Sequence, residues 1–145
     1  MVRLCLNVPA HSLEGASDRM PQRIGRPLVL LAEDNLDERD VLTQSLVMSG
    51  FEVVPVGTGV EAIELLRSVP ADIIVMDMAM PEMDGAAAIR HIRHDLAMVD
   101  VPVVAITGFA YDVHKPLSAD VGADVFLLKP FPPDELVAVL VRLLR

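Results

Sequence analysis

The chain has a single cysteine, Cys5, so it can form neither an intrachain disulfide nor a cysteine-based metal cluster. Aromatic residues are also scarce, 3% against 52% hydrophobic, which leaves a core of Val, Leu, Ile, Ala and Met. Aliphatic cores of that kind suit parallel α/β proteins, whose central strands are covered on both faces. No apolar run approaches the roughly 20 residues of a membrane span. No apolar h-region precedes Pro9, which argues against a signal peptide, so a soluble cytoplasmic protein with no membrane partner is expected. Internal repeats are missing. Basic residues are few outside the N-terminal stretch: residues 1–26 carry a net +2 and residues 27–145 a net −11, −9 in all. A body this acidic repels a phosphate backbone, which argues against direct nucleic-acid binding.

What is present is a regular alternation. The 145 residues suit one domain. Residues 1–26 show no sustained period and read as a flexible N-terminal extension or linker, with Met20 as another candidate start; the folded domain is residues 27–145. Leu28–Ala32 is an apolar run of strand length, followed by Glu33 and Asp34. Asn35 and Glu38 then resemble a capping box, opening a helix with Val41, Leu42, Leu46 and Met48 on its apolar side. EVVPV (52–56) is a second strand, and Pro55 suggests an edge position. Thr58 and Glu61 form a closer capping box before a helix carrying Ala62, Ile63, Leu66 and Val69. Strands at 72–76, 101–107 and 123–128 follow, with helices after Asp84 and after Pro132–Pro133. Strand–helix alternation repeated five times implies a parallel sheet covered on both faces. The expected fold is flavodoxin-like, a doubly wound five-stranded parallel sheet of order 2-1-3-4-5 with five surrounding helices.

The strand ends carry the chemistry. The first strand ends in Glu33 and Asp34, the third in Asp77, the fourth in Thr107 and the fifth in Lys129. In a parallel sheet these ends share one edge, where ligands bind at the switch of strand order. Crowded carboxylates raise one another's pKa, and a hard divalent cation, Mg²⁺ in particular, relieves that repulsion. With the Lys129 ammonium and the Thr107 hydroxyl, the set makes a phosphoryl site with Asp77 as nucleophile.

The motifs LVLLAEDN, DIIVMDMAMPEMDG, the AIT ending the fourth strand and LLKPF stand in the order and spacing of one family. From Leu28 to Arg145 the chain resembles the receiver domain of two-component response regulators. The resemblance implies that Asp77 accepts a phosphoryl group from the phosphohistidine of a histidine kinase or a histidine phosphotransfer protein. Glu33, Asp34, Asp77 and the Ala79 backbone carbonyl would bind Mg²⁺, with Thr107 as switch hydroxyl and Lys129 pairing with the phosphoryl group. Phe126 takes the place of the aromatic that follows the switch inward, with a core-packing role equally open. The Lys129–Pro130 peptide is expected to be cis. Phosphorylation would then alter the surface around the fourth helix, fifth strand and fifth helix.

Some positions depart from the family pattern. Glu33 stands where Asp is commoner and reaches one methylene further. Ala79 and Phe109, two residues after Asp77 and Thr107, offer nothing to orient water, which implies slow autodephosphorylation and at most a self-phosphorylating acceptor, not an enzyme. Pro116 should break or shorten the helix expected within 111–121. The last helix has two apolar stripes, Leu136, Val139, Leu140 and Leu143, then Val137, Val141 and Leu144. The second is available to a homodimer, an upstream domain or the core. No output region follows Arg145, so a stand-alone receiver or a portion of a hybrid kinase is expected. Two other functions stay open: a pseudo-receiver that binds partners without phosphorylation, and a Mg²⁺-dependent phosphatase with an aspartyl nucleophile. The latter typically has an acid where Ala79 stands.

Overall fold

A computed structural model describes residues 25–108 and 122–145. Along them run β1 (Leu28–Ala32), α1 (Leu36–Met48), β2 (Glu52–Val56), α2 (Gly59–Leu66), β3 (Ile73–Asp77), α3 (Gly85–His94), β4 (Val103–Thr107), β5 (Val125–Leu128) and α4 (Pro133–Leu143). Phe109 and the broken helix expected within 111–121 lie outside the described residues, so four of the five expected helices are on view. No helix among the described residues is long and apolar enough to cross a membrane.

The five strands form one parallel sheet of order β2-β1-β3-β4-β5. Every residue of β1, β3 and β4 is buried, which is why their sequences are apolar without alternation up to the closing Asp77 of β3 and Thr107 of β4. β2 lies at an edge, where Pro55 is exposed and its missing N–H costs no ladder bond.

Alternation along each strand divides the core in two. Leu30, Ala32, Ile74, Met76, Val103 and Ala105 pack with Ala62, Ile63 and Leu66 of α2 and Ala88, Ile89 and Ile92 of α3. Val29, Leu31, Ile73, Val75, Val104, Ile106 and Leu127 pack with Leu42 and Leu46 of α1 and Leu136, Val139 and Leu140 of α4. Each fully buried aliphatic side chain contributes about 1.5–3 kcal/mol before the entropy of ordering is counted.

One helix face differs from the sequence reading, and another that it left open is divided. On α1 only Leu42 and Leu46 are buried, while Val41 is 52% and Met48 86% exposed. At about 100° per residue, Val41 and Met48 fall roughly 100° and 120° away from Leu42 and cannot reach the sheet. On α4 the second stripe is split. Val137 and Leu144 pack partly against the α1 side of the core, and Val141 stays exposed.

Candidate functional site

Strand register builds the site. Ala32 pairs with Met76, so the next residues, Glu33 and Asp77, emerge side by side. Asp77 pairs with Ile106, and Thr107 follows. Thr107 pairs with Leu128, and the Lys129 N–H donates to the Thr107 carbonyl at 2.7 Å. Four chemically active residues thus line one edge in spatial order.

Pleating sorts them further. Glu33, Asp77 and Lys129 continue the parity of Leu31, Val75 and Leu127, on the α1 and α4 side. Thr107 continues the parity of Val103 and Ala105, on the α2 and α3 side, where half-buried Phe126 also packs. Glu33 and Thr107 are fully buried and Asp77 nearly so, whereas Asp34 is exposed.

The Lys129 ammonium lies 2.6 Å from Glu38 Oε1, 3.3 Å from Glu33 Oε1 and 3.5 Å from Asp77 Oδ2. The other Asp77 oxygen, Oδ1, accepts the Ala79 N–H at 3.0 Å. Burial pushes the Glu33 carboxyl up to about 7, and a hydrogen bond and charge repulsion from Asp77 add to the rise. Burial alone would lower the Lys129 pKa. The hydrogen bond to Glu38 and the charges of Asp77, Glu33 and Glu38 outweigh it and hold the lysine above its ordinary range.

A carboxylate oxygen from each of Glu33, Asp34 and Asp77 lies within 4.8 Å of the other two. Burial is the main cause of the raised Glu33 pKa, and the neighbouring Asp77 carboxylate adds to it, so a cation beside the pair would favour their ionised forms. An all-oxygen set with one exposed member fits a hard divalent cation that keeps several waters.

The loop after β3 holds Asp77 in place. Glu82 has φ +69°, and the Met83 N–H donates to the Pro81 carbonyl at 2.7 Å, a tight three-residue turn. Asp84 Oδ1 then caps α3 by accepting the Ala87 N–H at 2.8 Å. Gly85 is required by close approach: a Cβ there would collide with the Asp77 carbonyl oxygen and stand 2.6 Å from Met78 Cα. The Lys129–Pro130 bond, at the far side of the site, is cis.

Glu33, Asp34, Asp77 and Lys129 therefore come together as one cluster, with Thr107 beside them on the opposite parity. Ala79 is exposed just after Asp77. The sequence reading missed Glu38 as a member. Its spacing from Asn35 suggested a carboxylate turned back on its own helix start. It also missed Arg39, whose guanidinium donates to the Glu33 carbonyl at 3.2 Å. No local pattern distinguishes these from ordinary polar positions on α1.

A doubly wound parallel sheet bearing this buried acid–lysine cluster at its carboxyl edge defines a flavodoxin-like α/β domain with its site at the topological switch point. The sequence matches the response regulator receiver domain over residues 29–141, and the chain belongs to that family of signalling modules. It is 35% identical over 121 residues to the DNA-binding response regulator MtrA of Mycobacterium tuberculosis, across 83% of this chain and 50% of MtrA. Among solved structures, the chemotaxis response regulator CheY4 of Vibrio cholerae aligns with a TM-score of 0.76 and 28% identity, over 81% of this chain and 98% of that one. Response regulator TrrA of Thermotoga maritima, in complex with Mg(2+)-BeF, gives 0.74 and 25%, over 81% and 98%. The chain spans about half the length of the curated relatives it matches.

Proposed function

We propose that Asp77 accepts a phosphoryl group from a phosphohistidine, borne by a histidine kinase or a histidine phosphotransfer protein. The observation that carries this is a nearly buried Asp77 carboxylate flanked by Glu33 on one side and the Lys129 ammonium on the other. An Asp77 carboxylate oxygen attacks phosphorus, the P–N bond breaks, and the electron pair leaves on the imidazole nitrogen, which takes up a proton. Lys129 faces the negative charge that develops on the transferring oxygens. Glu33, Asp34, Asp77 and the Ala79 carbonyl would hold Mg²⁺, which when bound neutralises charge that the lysine alone does not cover.

The product is an acyl phosphate carrying close to two negative charges at neutral pH. Thr107 and Phe126 share the other face of the sheet, so inward movement of the hydroxyl toward the phosphoryl group would be felt by the aromatic ring and the surface beside it. The Ala79 methyl group presents nothing to orient an attacking water, which supports slow loss of the phosphoryl group.

Acetyl phosphate with Mg²⁺, followed by intact-mass measurement, tests the reading. One phosphoryl group should add to the wild type and none to Asp77→Asn. Turnover of acetyl phosphate without an adduct would make the protein a phosphatase. No reaction would leave a phosphorylation-independent interaction module.

A further inference from the structure

The Glu38 carboxylate has no task in the reaction above, yet it makes the shortest contact to the Lys129 ammonium, 2.6 Å against 3.3 Å for Glu33 and 3.5 Å for Asp77. The reason lies in the first turn of α1. Glu38 sits three residues after the cap Asn35, where a glutamate ordinarily accepts the N–H of the capping residue. Here the Asn35 N–H is donated to Glu33 Oε2 at 3.2 Å. Glu38 therefore lacks its usual local partner, and its backbone N–H is already satisfied by Asn35 Oδ1 at 3.0 Å. Its carboxylate turns across to the lysine.

We propose that Glu38 is a positioning residue that holds the Lys129 ammonium on the α1 side of the site, in competition with the phosphoryl group on Asp77. The inference rests on the phosphoacceptor reading of Asp77 and adds a regulator of it. Glu38 is suited to letting go: its side chain is 48% exposed, so water can take the lysine's place. Glu33 and Asp77, by contrast, are buried beside the lysine. A dianionic phosphoryl group draws Lys129 from Glu38, and loss of that group returns it. The strength of the Glu38 pair thus sets how readily the phosphorylated state is retained.

Calorimetric titration with beryllofluoride, a phosphoryl mimic, at saturating Mg²⁺ tests this on the whole chain. Glu38→Gln should bind roughly three- to tenfold more tightly than wild type, as expected for removing a half-exposed competing ion pair. Glu38→Asp keeps the charge but shortens the reach, and should fall between. Glu61→Gln, which removes an equal charge from the start of α2, should leave the affinity unchanged. Unchanged or weaker binding by Glu38→Gln, an equal gain in Glu61→Gln, or wild-type affinity in Glu38→Asp overturns the inference. Failure of every form, wild type included, to bind overturns the phosphoacceptor reading and this inference with it.

Discussion

Helices α1 and α2 both start beside the carboxyl edge of the sheet, and their first turns are written almost alike. Asn35 and Thr58 each cap their helix by accepting an N–H three residues on, at 3.0 Å in both. Each capped N–H belongs to a glutamate. Glu61 turns back and accepts the Gly57 N–H at 2.7 Å, completing a local loop. Glu38 does not turn back, because Glu33 has taken the Asn35 N–H, and it pairs with a lysine 91 residues away. The same spacing gives one glutamate bonded to its own helix start and another paired with the lysine of the site. A capping motif specifies what its backbone needs; the company it keeps decides where the carboxylate goes. At α3 the cap is itself an acid, Asp84, which accepts the Ala87 N–H; no glutamate follows three residues on, and Gly85 lets the first turn approach the backbone of Asp77 and Met78.

The contrast can be broken or sharpened experimentally. The largest effect is expected at α3, where Gly85→Ala forces a methyl group into the backbone of Asp77 and Met78. We expect a loss on the order of 3 kcal/mol in urea unfolding. A variant as stable as wild type would mean that α3 can retreat from β3 without cost.

Next comes Glu33, the residue that diverts Glu38. Its folded pKa of about 7 lies above the ordinary 4.5, so between those values the folded chain holds a proton that the unfolded chain has released. Its contribution to stability is fully present below pH 4.5 and is lost as the pH rises through 7. In metal-free buffer the wild type should therefore gain up to about 3 kcal/mol relative to Glu33→Gln as the pH falls across that window. A difference between the two proteins that does not vary with pH would contradict the assignment.

The smallest effects separate the two first turns directly. Glu61→Ala should cost about 1 kcal/mol through the Gly57 hydrogen bond, whereas Glu38→Gln should leave the unfolding midpoint nearly unchanged while altering phosphoryl-mimic binding. Equal losses in both would erase the distinction between a glutamate that serves its helix and one that serves the site.

Much of the architecture was legible in the sequence. Fully buried strands need apolar runs, and Leu28–Ala32 stands out for that reason, as do Ile73–Asp77 and Val103–Thr107 up to their polar last residues. Pro55 marked the edge strand because a proline cannot donate to a central ladder. Alternating strands and helices, with right-handed crossovers, then left little choice of topology. Helix faces were harder to read. Val41 and Met48 are apolar without being buried, since the amount of a helix that a sheet covers is not written in the helix itself.

By itself the sequence determined which chemical groups reach one edge: each polar residue directly follows an apolar strand, and parallel strands end on the same side. Only the tertiary structure decided how those groups pair. Register set Glu33 beside Asp77, pleating sent Thr107 to the face away from Lys129, and burial raised the Glu33 pKa. It was also the fold that turned Glu38 from its helix to the lysine, because an ion pair depends on distances in space, which spacing along the chain does not contain.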